Sequence, residues 1–303
     1  MKLVYFGTGS FAVPALERMA QHVALVVTQP DRPSGRGLRL QPSAVKVKAG
    51  ELGLDVFTPE KARSIEFVEQ IEKLRPDALL VASYGQILSE RLLNSAIRGG
   101  INLHGSILPR WRGAAPIQRA IQHRDPETGV TLMQMDRGMD TGDVIDIQTT
   151  AIREHETYGD LQDRLAEIAA DLAESWIPRI ISGAYPRERQ DDSQATIAPK
   201  VERGETEIAF TERAIDAEAR IRAFTPAPGC YFMTDLGQIR VHKAELGTGS
   251  GEPGVVLCVK GGLEVAMDEG SLILSEVQPQ GKKKMSGHDF ANGMRLRIGM
   301  KIQ

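Results

Sequence analysis

The hydrophobic positions in the first half of the chain form short apolar runs that alternate with amphipathic segments. The apolar runs, which are typical of buried strands, lie at 2–7, 23–28, 77–83 and 101–104. The segments between them repeat apolar residues three and four positions apart, as at 65–74, which is typical of helices. Strands that alternate with helices predict an α/β domain with a doubly wound, mostly parallel sheet.

The pattern changes in the second half of the chain. A long amphipathic helix is predicted from Thr157, and Pro178 is expected to kink or end it. Residues 184–203 are polar and poor in large apolar side chains, which is typical of a linker. Beyond them, one helix precedes short, evenly spaced strands with glycine-rich turns, which predict a small β-barrel. We therefore expect one domain at 1–183 and a second at 204–303.

Composition limits the class of protein. The chain of 303 residues is long enough for two domains. No apolar run approaches the roughly 20 residues that span a bilayer, and the first residues enter a strand directly, so we expect neither a membrane segment nor a signal peptide. The two cysteines, Cys230 and Cys258, are too few for a disulfide framework, and their apolar neighbours favour buried free thiols. These features predict a protein of the reducing cytoplasm.

Charge is distributed unevenly, although the net charge is only −3. Residues 32–50 and 91–124 contain arginines or lysines but no acidic residue. The first of these zones overlaps a loop at 29–43 that is rich in proline, glycine and arginine and longer than most connections in such folds. Both zones favour an anionic ligand, although runs of one charge are also common on solvated surfaces.

The stretch 101–117 carries the strongest candidate chemistry. Asn102 and His104 lie two apart on a predicted strand, so their side chains share one face at its carboxyl end. Ligands of open α/β sheets bind at that end. An amide can stabilise an oxyanion and an imidazole can move a proton, which together suit acyl chemistry. The same two residues can also form a satisfied polar pair that only closes the strand.

An acidic partner for this pair is expected in or near the glycine-punctuated loop 136–143. Four aspartates qualify by position, and spacing alone does not choose among them. They are Asp136, Asp140, Asp143 and Asp146. An aspartate beside Gly138 or Gly142 is also an ordinary turn residue.

Taken together, these stretches resemble the methionyl-tRNA formyltransferase family. The resemblance follows the family's order over nearly the whole chain and is carried by residues 28–33, 102–117, 131–136, 139–143, 221–224 and 281–286. Its most specific part is the pattern Asn-x-His-x-Ser-x-Leu-Pro with a downstream aspartate, which is typical of folate-dependent formyltransferases. Ile107 stands where the family usually has leucine, and Gly105 where the family varies.

The resemblance implies a Rossmann-like catalytic domain at 1–183, a linker at 184–203 and an OB-like C-terminal domain at 204–303 that binds tRNA. It implies 10-formyltetrahydrofolate as the formyl donor and initiator methionyl-tRNA as the acceptor, with no metal. By position in the motifs, it assigns three groups of residues. These are Asn102, His104 and Asp140 as catalytic residues, Ser106, Ile107, Leu108 and Pro109 as the folate-binding segment, and Arg36 as the contact with the tRNA acceptor end. The protein is expected to act as a monomer.

Other functions fit parts of the same pattern. Amino-sugar or glycinamide ribonucleotide formyltransferases and formyltetrahydrofolate hydrolases would share the three catalytic residues, but they give no reason for the loop around Arg36. A non-catalytic RNA-binding protein would account for the basic zones and the barrel, yet not for the intact Asn/His/Asp set. A nicotinamide dehydrogenase fits least, because Gly7-Thr8-Gly9 lacks the third glycine of the dinucleotide-binding motif.

Overall fold

The computed structural model describes residues 1–34 and 39–302. Contacts between residues divide the chain into two compact units. The first unit contains residues 1–116, 127–151 and 162–199, and the second contains 117–126, 152–161 and 200–303. Two short inserts in the sequence of the first unit thus belong to the second.

The elements up to residue 199 follow the alternation that the sequence predicts. The strands are β1 (Leu3–Gly7), β2 (Val23–Val27), β3 (Arg32–Ser34), β4 (Arg39–Gln41), β5 (Val56–Phe57), β6 (Ala78–Ala82), β7 (Gly100–His104), β8 (Arg112–Gly113), β9 (Glu127–Gln134), β10 (Val144–Ala151) and β11 (Ile197–Ala198). The helices are α1 (Val13–Met19), α2 (Ala44–Glu51), α3 (Ile65–Leu74), α4 (Glu90–Leu93), α5 (Pro116–Gln122) and α6 (Tyr158–Ser182), together with three short 3₁₀ turns.

The first unit is built on a seven-stranded sheet in the order β10-β9-β7-β6-β1-β2-β5. The five strands from β7 to β5 are parallel, while β9 and β10 are antiparallel to their neighbours. The predicted α/β fold with a mostly parallel sheet is therefore confirmed. This arrangement brings the carboxyl ends of β6 and β7 to the same edge of the sheet.

Both faces of this sheet are buried, as a doubly wound fold requires. On one face, Phe6 and Val81 pack against Phe67 and Ile71 of α3, and the ring of Tyr84 meets Phe6 edge-to-face at 5.2 Å. The alternate residues of the same strands, such as Tyr5 and Leu80, are fully buried on the other face. Continuous burial explains why these strands appear in the sequence as unbroken apolar runs.

Helix α6 runs from Tyr158 to Ser182 without ending at Pro178. The sequence leads us to expect that Pro178 kinks or ends the helix, but the helix continues past this residue for another turn. A proline inside a helix removes one backbone hydrogen bond. Burial of Ile177 and Ile180, both fully excluded from solvent, stabilises the last turn and offsets that loss.

The second unit contains the strands β12 (Cys230–Thr234), β13 (Gly237–Leu246), β14 (Val256–Cys258), β15 (Leu263–Ala266), β16 (Ser271–Pro279) and β17 (Met285–Ser286), and the helices α7 (Ala214–Phe224) and α8 (Gly287–Gly293). Its antiparallel strands have the order β12-β13-β16-β15-β14, with β17 added to β16. The sheet curls into a half-barrel, in agreement with the predicted C-terminal fold. Alternate residues, such as Phe232 and Val241, point into its core, where Phe232 stacks on Phe210 at 4.5 Å.

The two cysteines differ in burial. Cys230 is buried, and burial raises the pKa of its thiol to about 12. Cys258 is only half-buried, so the expectation of a buried thiol is correct for Cys230 alone.

Among the described residues, none of the helices combines the length and the apolar character needed to span a bilayer.

Residues 184–199, which the sequence assigns to a linker, lie in the first unit. In this segment β11 pairs in parallel with β8, so that Ile197 lies opposite Arg112 and Ala198 opposite Gly113. Gln190, from the same segment, is buried. The segment therefore contacts the loop that follows the candidate site on β7.

Candidate active site

The site begins on β7, between parallel β6 and antiparallel β9. Asn102 lies beside Val81 of β6, and His104 ends the strand. The side chain of His104 is 7% exposed, while Asn102 is half-buried. Since the two residues are separated by one position on a strand, they share the face that the sequence predicts.

Asp140 joins this pair from the loop between β9 and β10. Its Oδ1 atom is 3.4 Å from Nδ2 of Asn102, and its Oδ2 atom is 3.6 Å from Nδ1 of His104. The backbone N–H of Gly113 donates to the same Oδ2 at 2.9 Å. The side chain of Asp140 keeps 18% of its surface exposed, so the cluster is accessible from solvent.

The other three candidate aspartates have different partners. Asp136 accepts hydrogen bonds from the Gly138 N–H and the Thr141 hydroxyl, and such local contacts are typical of an aspartate in a turn. Asp143 pairs with Arg187 at 3.0 Å. Asp146 accepts a hydrogen bond from the Trp176 indole at 2.6 Å. Of the four candidates, only Asp140 contacts Asn102 and His104, and this geometry supports the choice that the sequence resemblance makes.

The hydrogen bonds of His104 define its tautomer. Its Nε2 atom lies 2.9 Å from the carbonyl oxygen of Trp111. A carbonyl oxygen can only accept, so Nε2 carries a hydrogen. In the neutral imidazole, Nδ1 is then a lone-pair acceptor, and it faces the Asp140 carboxylate and the open side of the cluster.

The segment predicted to bind folate follows β7 directly. The Ser106 hydroxyl donates to the Arg110 carbonyl at 2.7 Å, and the Leu108 N–H donates to the Thr131 hydroxyl at 3.1 Å. Both side chains are buried, whereas Ile107 and Pro109 remain half-buried. Ile107 and Pro109 are therefore the accessible members of this segment, while Ser106 and Leu108 shape the turn.

The surroundings suit a flat, largely apolar ring beside a polar cluster. Ile87 follows β6 and is 85% exposed, and Ile107 follows the neighbouring strand β7. Because parallel neighbouring strands end at one edge, these apolar side chains and the polar cluster belong to the same rim of the sheet. The residues present therefore fit a folate. In the described part of the chain, no group of three or more His, Cys, Asp or Glu side chains is arranged to hold a metal ion.

Three further observations concern residues near the cluster or its loops. Arg36 lies outside the described residues, although the antiparallel strands β3 and β4 on either side of it pair with each other. Trp111 has a positive φ of 63°, and the guanidinium of Arg110 lies 4.5 Å above its ring. Gln190, which binds the backbone of the Asp140 loop, and Arg112, which binds Gln190, are not predicted from the sequence, because no local pattern distinguishes them from surface residues.

Comparison with known proteins identifies the family. Residues 1–179 match the model of the formyl transferase family, and residues 200–295 match its C-terminal domain. The methionyl-tRNA formyltransferase of Halorhodospira halophila is 44% identical over 308 aligned residues, covering 100% of this chain and 99% of that protein. The methionyl-tRNA formyltransferase of Myxococcus xanthus is 41% identical over 301 residues, covering 98% of this chain and 96% of that protein.

A solved structure has the same fold. The N-formyltransferase from Helicobacter canadensis, in complex with folinic acid and dTDP-3-aminofucose, superimposes with a TM-score of 0.69 at 20% identity, covering 94% of this chain and 100% of that one. At this identity the likeness concerns the fold alone. The family models and the full-length relatives show that the chain belongs to the methionyl-tRNA formyltransferase family.

Proposed function

We propose that the protein transfers the formyl group of 10-formyltetrahydrofolate to the α-amine of methionyl initiator tRNA. The observation that carries the proposal is the Asn102–His104–Asp140 cluster, which stands at the carboxyl edge of the sheet in a chain aligned end to end with methionyl-tRNA formyltransferases. The product is the formylmethionyl-tRNA with which translation begins.

When bound, the donor supplies an activated formyl group. Asn102 then provides amide hydrogens to the formyl oxygen, which gains negative charge as the amine attacks. The contact from this amide to Asp140 is long, at 3.4 Å, and leaves the donor available for a stronger acceptor. A donor aimed at a developing oxyanion contributes on the order of 2.7–4 kcal/mol to transition-state stabilisation.

The attacking α-amine must be neutral, and it must lose a proton once its nitrogen has bonded to the formyl carbon. The bond from that carbon to the folate nitrogen then breaks, and the folate nitrogen takes up one proton, which balances the proton lost by the amine. Two acceptors for this proton stand side by side in the cluster. Nδ1 of His104 presents a lone pair, because Nε2 uses its hydrogen on the Trp111 carbonyl. The Asp140 carboxylate, 3.6 Å from Nδ1, either takes the proton itself or stabilises the imidazolium that forms when His104 takes it.

Binding of the two substrates is assigned to separate parts of the chain. We assign folate contact to the segment Ser106, Ile107, Leu108 and Pro109, with Ile107 and Pro109 as its accessible members. We assign recognition of the tRNA acceptor end to Arg36 and further tRNA affinity to the C-terminal domain at 204–303. We also propose that the protein acts as a monomer, because Asn102, His104 and Asp140 all come from one chain. Its tRNA substrate and the two free cysteines of the chain support a location in the cytoplasm.

The test is a formyl-transfer assay with 10-formyltetrahydrofolate and four acceptors: charged initiator tRNA, charged elongator methionyl-tRNA, free methionine and a dTDP-linked amino sugar. We expect rapid transfer to the charged initiator tRNA and little to the others. Transfer to the amino sugar without transfer to tRNA would refute the proposal and favour the sugar branch. Release of formate without any acceptor would instead indicate a hydrolase.

A further inference from the structure

A buried glutamine connects Arg112, which follows the candidate site on β7, to the loop that contains Asp140. Gln190 is 7% exposed, and its Nε2 atom donates to the backbone carbonyls of Asp140, at 2.9 Å, and Gly142, at 2.7 Å. Its Oε1 atom accepts two hydrogen bonds from the guanidinium of Arg112, at 3.0 Å from Nε and 2.8 Å from Nη2. Both ends of the amide are thus occupied.

This arrangement admits only one orientation of the amide. A guanidinium can only donate hydrogen bonds, so the oxygen of Gln190 must face Arg112. Backbone carbonyls can only accept, so the nitrogen must face Asp140 and Gly142. Arg112 is itself buried, and its Nη2 atom also pairs with Asp192 at 2.8 Å. The amide is therefore fixed by its partners rather than free to rotate.

The backbone that Gln190 holds is strained. Asp140 has a φ of 57°, in the left-handed region that residues other than glycine seldom adopt. Such a conformation persists only where surrounding contacts stabilise it. Gln190 binds the carbonyl of this residue, while the N–H of Gly113, next to Arg112, binds its carboxylate. The contacts form a closed ring from Arg112 through Gln190 and Asp140 back to Gly113.

We propose that Gln190, oriented by Arg112, is a positioning residue that holds Asp140 in the left-handed conformation in which its carboxylate faces Asn102 and His104. The proposal rests on the proposed function only in taking Asp140 as a catalytic residue. The side chain of Gln190 bonds to the backbone of Asp140 and not to its carboxylate, so it acts on the cluster through the conformation of that residue.

The most direct variant is Gln190→Glu, which keeps the size of the side chain and the pairing with Arg112. It removes both amide donors and places a carboxylate oxygen against the carbonyls of Asp140 and Gly142. Displacing a reacting group by about 1 Å can cost up to about 100-fold in rate, so we expect kcat to fall by about 10- to 100-fold. We expect KM for folate and for tRNA to stay within about 2-fold, because neither binding segment contains Gln190.

A second variant and a matched control separate positioning from folding. Arg112→Lys keeps the positive charge but removes the two-pronged donor, so the amide is less firmly oriented and kcat should fall by a smaller factor. Gln194→Glu makes the same chemical change at an exposed glutamine of the same segment, whose amide binds Asp191. We expect wild-type kinetics from the control, and thermal melts of all three variants establish that they are folded.

The decisive experiment is a double-mutant cycle with Asp140→Ala. If Gln190 acts through Asp140, Gln190→Glu lowers kcat in the wild-type background and has no further effect in the Asp140→Ala background. A crystal structure of Gln190→Glu should show residue 140 outside the left-handed region, which is a readout independent of activity. Undiminished kcat for Gln190→Glu, or an equal loss in both backgrounds, would overturn the proposal. Absence of formyl transfer to tRNA by the wild-type protein would overturn the proposed function instead, and the crystal structure would still decide the role of Gln190.

Discussion

The backbone N–H of Gly113 donates a 2.9 Å hydrogen bond to the Asp140 carboxylate, across 27 positions of sequence. Gly113 has a φ of 122°, and a Cβ atom on it would lie 2.7 Å from the carbonyl oxygen of Ala198 in β11. The residue that orients the candidate acid must therefore be glycine for two independent reasons, its backbone conformation and the close approach of a neighbouring strand.

We predict that Gly113→Ala lowers kcat by about 10-fold or more, because the strand must shift and carry the N–H away from Asp140. The stability cost should be about 1–3 kcal/mol. Gly53→Ala is the matched control, since Gly53 also has a positive φ, of 68°, but a Cβ atom on it would meet nothing within 4 Å. Steady-state kinetics and urea unfolding of both variants provide the comparison. Equal kcat values for the two variants would show that the Gly113 N–H has no part in the reaction.

We predict that Asn102→Ala, His104→Ala and Asp140→Ala each lower kcat by about 100-fold or more while the protein stays folded. The reason is that the three side chains meet in one cluster, at 3.4 Å and 3.6 Å from the Asp140 carboxylate. Asp143→Ala is the control, because its carboxylate pairs with Arg187. Single-turnover rates with both substrates saturating should separate the four variants. A loss in Asp143→Ala without one in Asp140→Ala would show that the acid has been assigned to the wrong residue.

The elements whose hydrophobic pattern is local could be predicted from the sequence. Helix α3 occupies 65–74 as its periodicity predicts, and its N-cap, Ser64, accepts a hydrogen bond from the Phe67 N–H. The common face of Asn102 and His104 follows from strand periodicity alone. Local physics therefore locates the two residues at the end of β7 and the sheet edge to which they belong.

Features that depend on distant partners could not be predicted in this way. The segment 184–199 is polar and resembles a linker, yet it pairs with β8 and supplies Gln190, because its hydrogen bonds are to residues far away in sequence. Similarly, α6 continues through Pro178 because Ile177 and Ile180 are buried, and the helix propensity of proline gives no information about that burial. Asp140 has a left-handed backbone and is bound by Gly113 and Gln190, which are distant in the sequence. Local spacing therefore could not choose among the four aspartates, and the choice rests on structure and on family resemblance.

Arg36 lies outside the described residues, and its role is predicted from the sequence. It stands between Gly35 and Gly37, in a basic stretch without acidic neighbours, and a guanidinium can pair with phosphate through several donors. We predict that Arg36→Ala raises KM for tRNA or lowers kcat by about 10-fold or more, with the melting temperature nearly unchanged and folate binding intact. Arg32→Ala, on β3, is the control for loss of one charge from the same zone. Wild-type kinetics in Arg36→Ala would remove this residue from the site.

The assignment of tRNA affinity to 204–303 predicts a salt-dependent effect of surface lysines. Lys282 and Lys283 are exposed in the turn between β16 and β17. If they contact phosphates, Lys282→Gln with Lys283→Gln should weaken tRNA binding and reduce the slope of log K against log salt by about 1 for each lost contact. Folate affinity should be unchanged.

The control for this pair is Lys243→Gln with Lys301→Gln, which makes the same change in net charge. Those lysines pair with Glu245 and Glu252 within the second unit. Fluorescence titrations with tRNA at several salt concentrations measure both slopes. Identical slopes for the two double variants would mean that general charge, and not the turn, determines the affinity.

The pairing of Arg119 with Glu205 predicts how the stability of the second unit depends on pH. Arg119 is buried, and its guanidinium donates to Glu205 at 2.5 and 3.0 Å. These hydrogen bonds lower the pKa of the Glu205 carboxyl below its ordinary value. The folded state therefore binds this proton less readily than the unfolded state does. The stabilisation is complete above the ordinary pKa and is lost as the pH falls through the lowered one.

We predict that Glu205→Gln reduces the free energy of unfolding at pH 7 by about 1.5–3 kcal/mol, the usual contribution of a hydrogen bond to a charged group. The difference from the wild-type protein should shrink as the pH falls below the ordinary pKa of a glutamate carboxyl, and it should disappear below the lowered pKa of Glu205, where the folded wild-type carboxyl is protonated as well. Glu207→Gln, an exposed residue two positions away, should change stability little at either pH. Urea unfolding at several pH values between about 3 and 7 gives the three curves. A difference between Glu205→Gln and the wild-type protein that stays constant over this range would show that the ion pair does not carry the effect, since a loss of packing has no reason to disappear when the carboxyl takes up its proton.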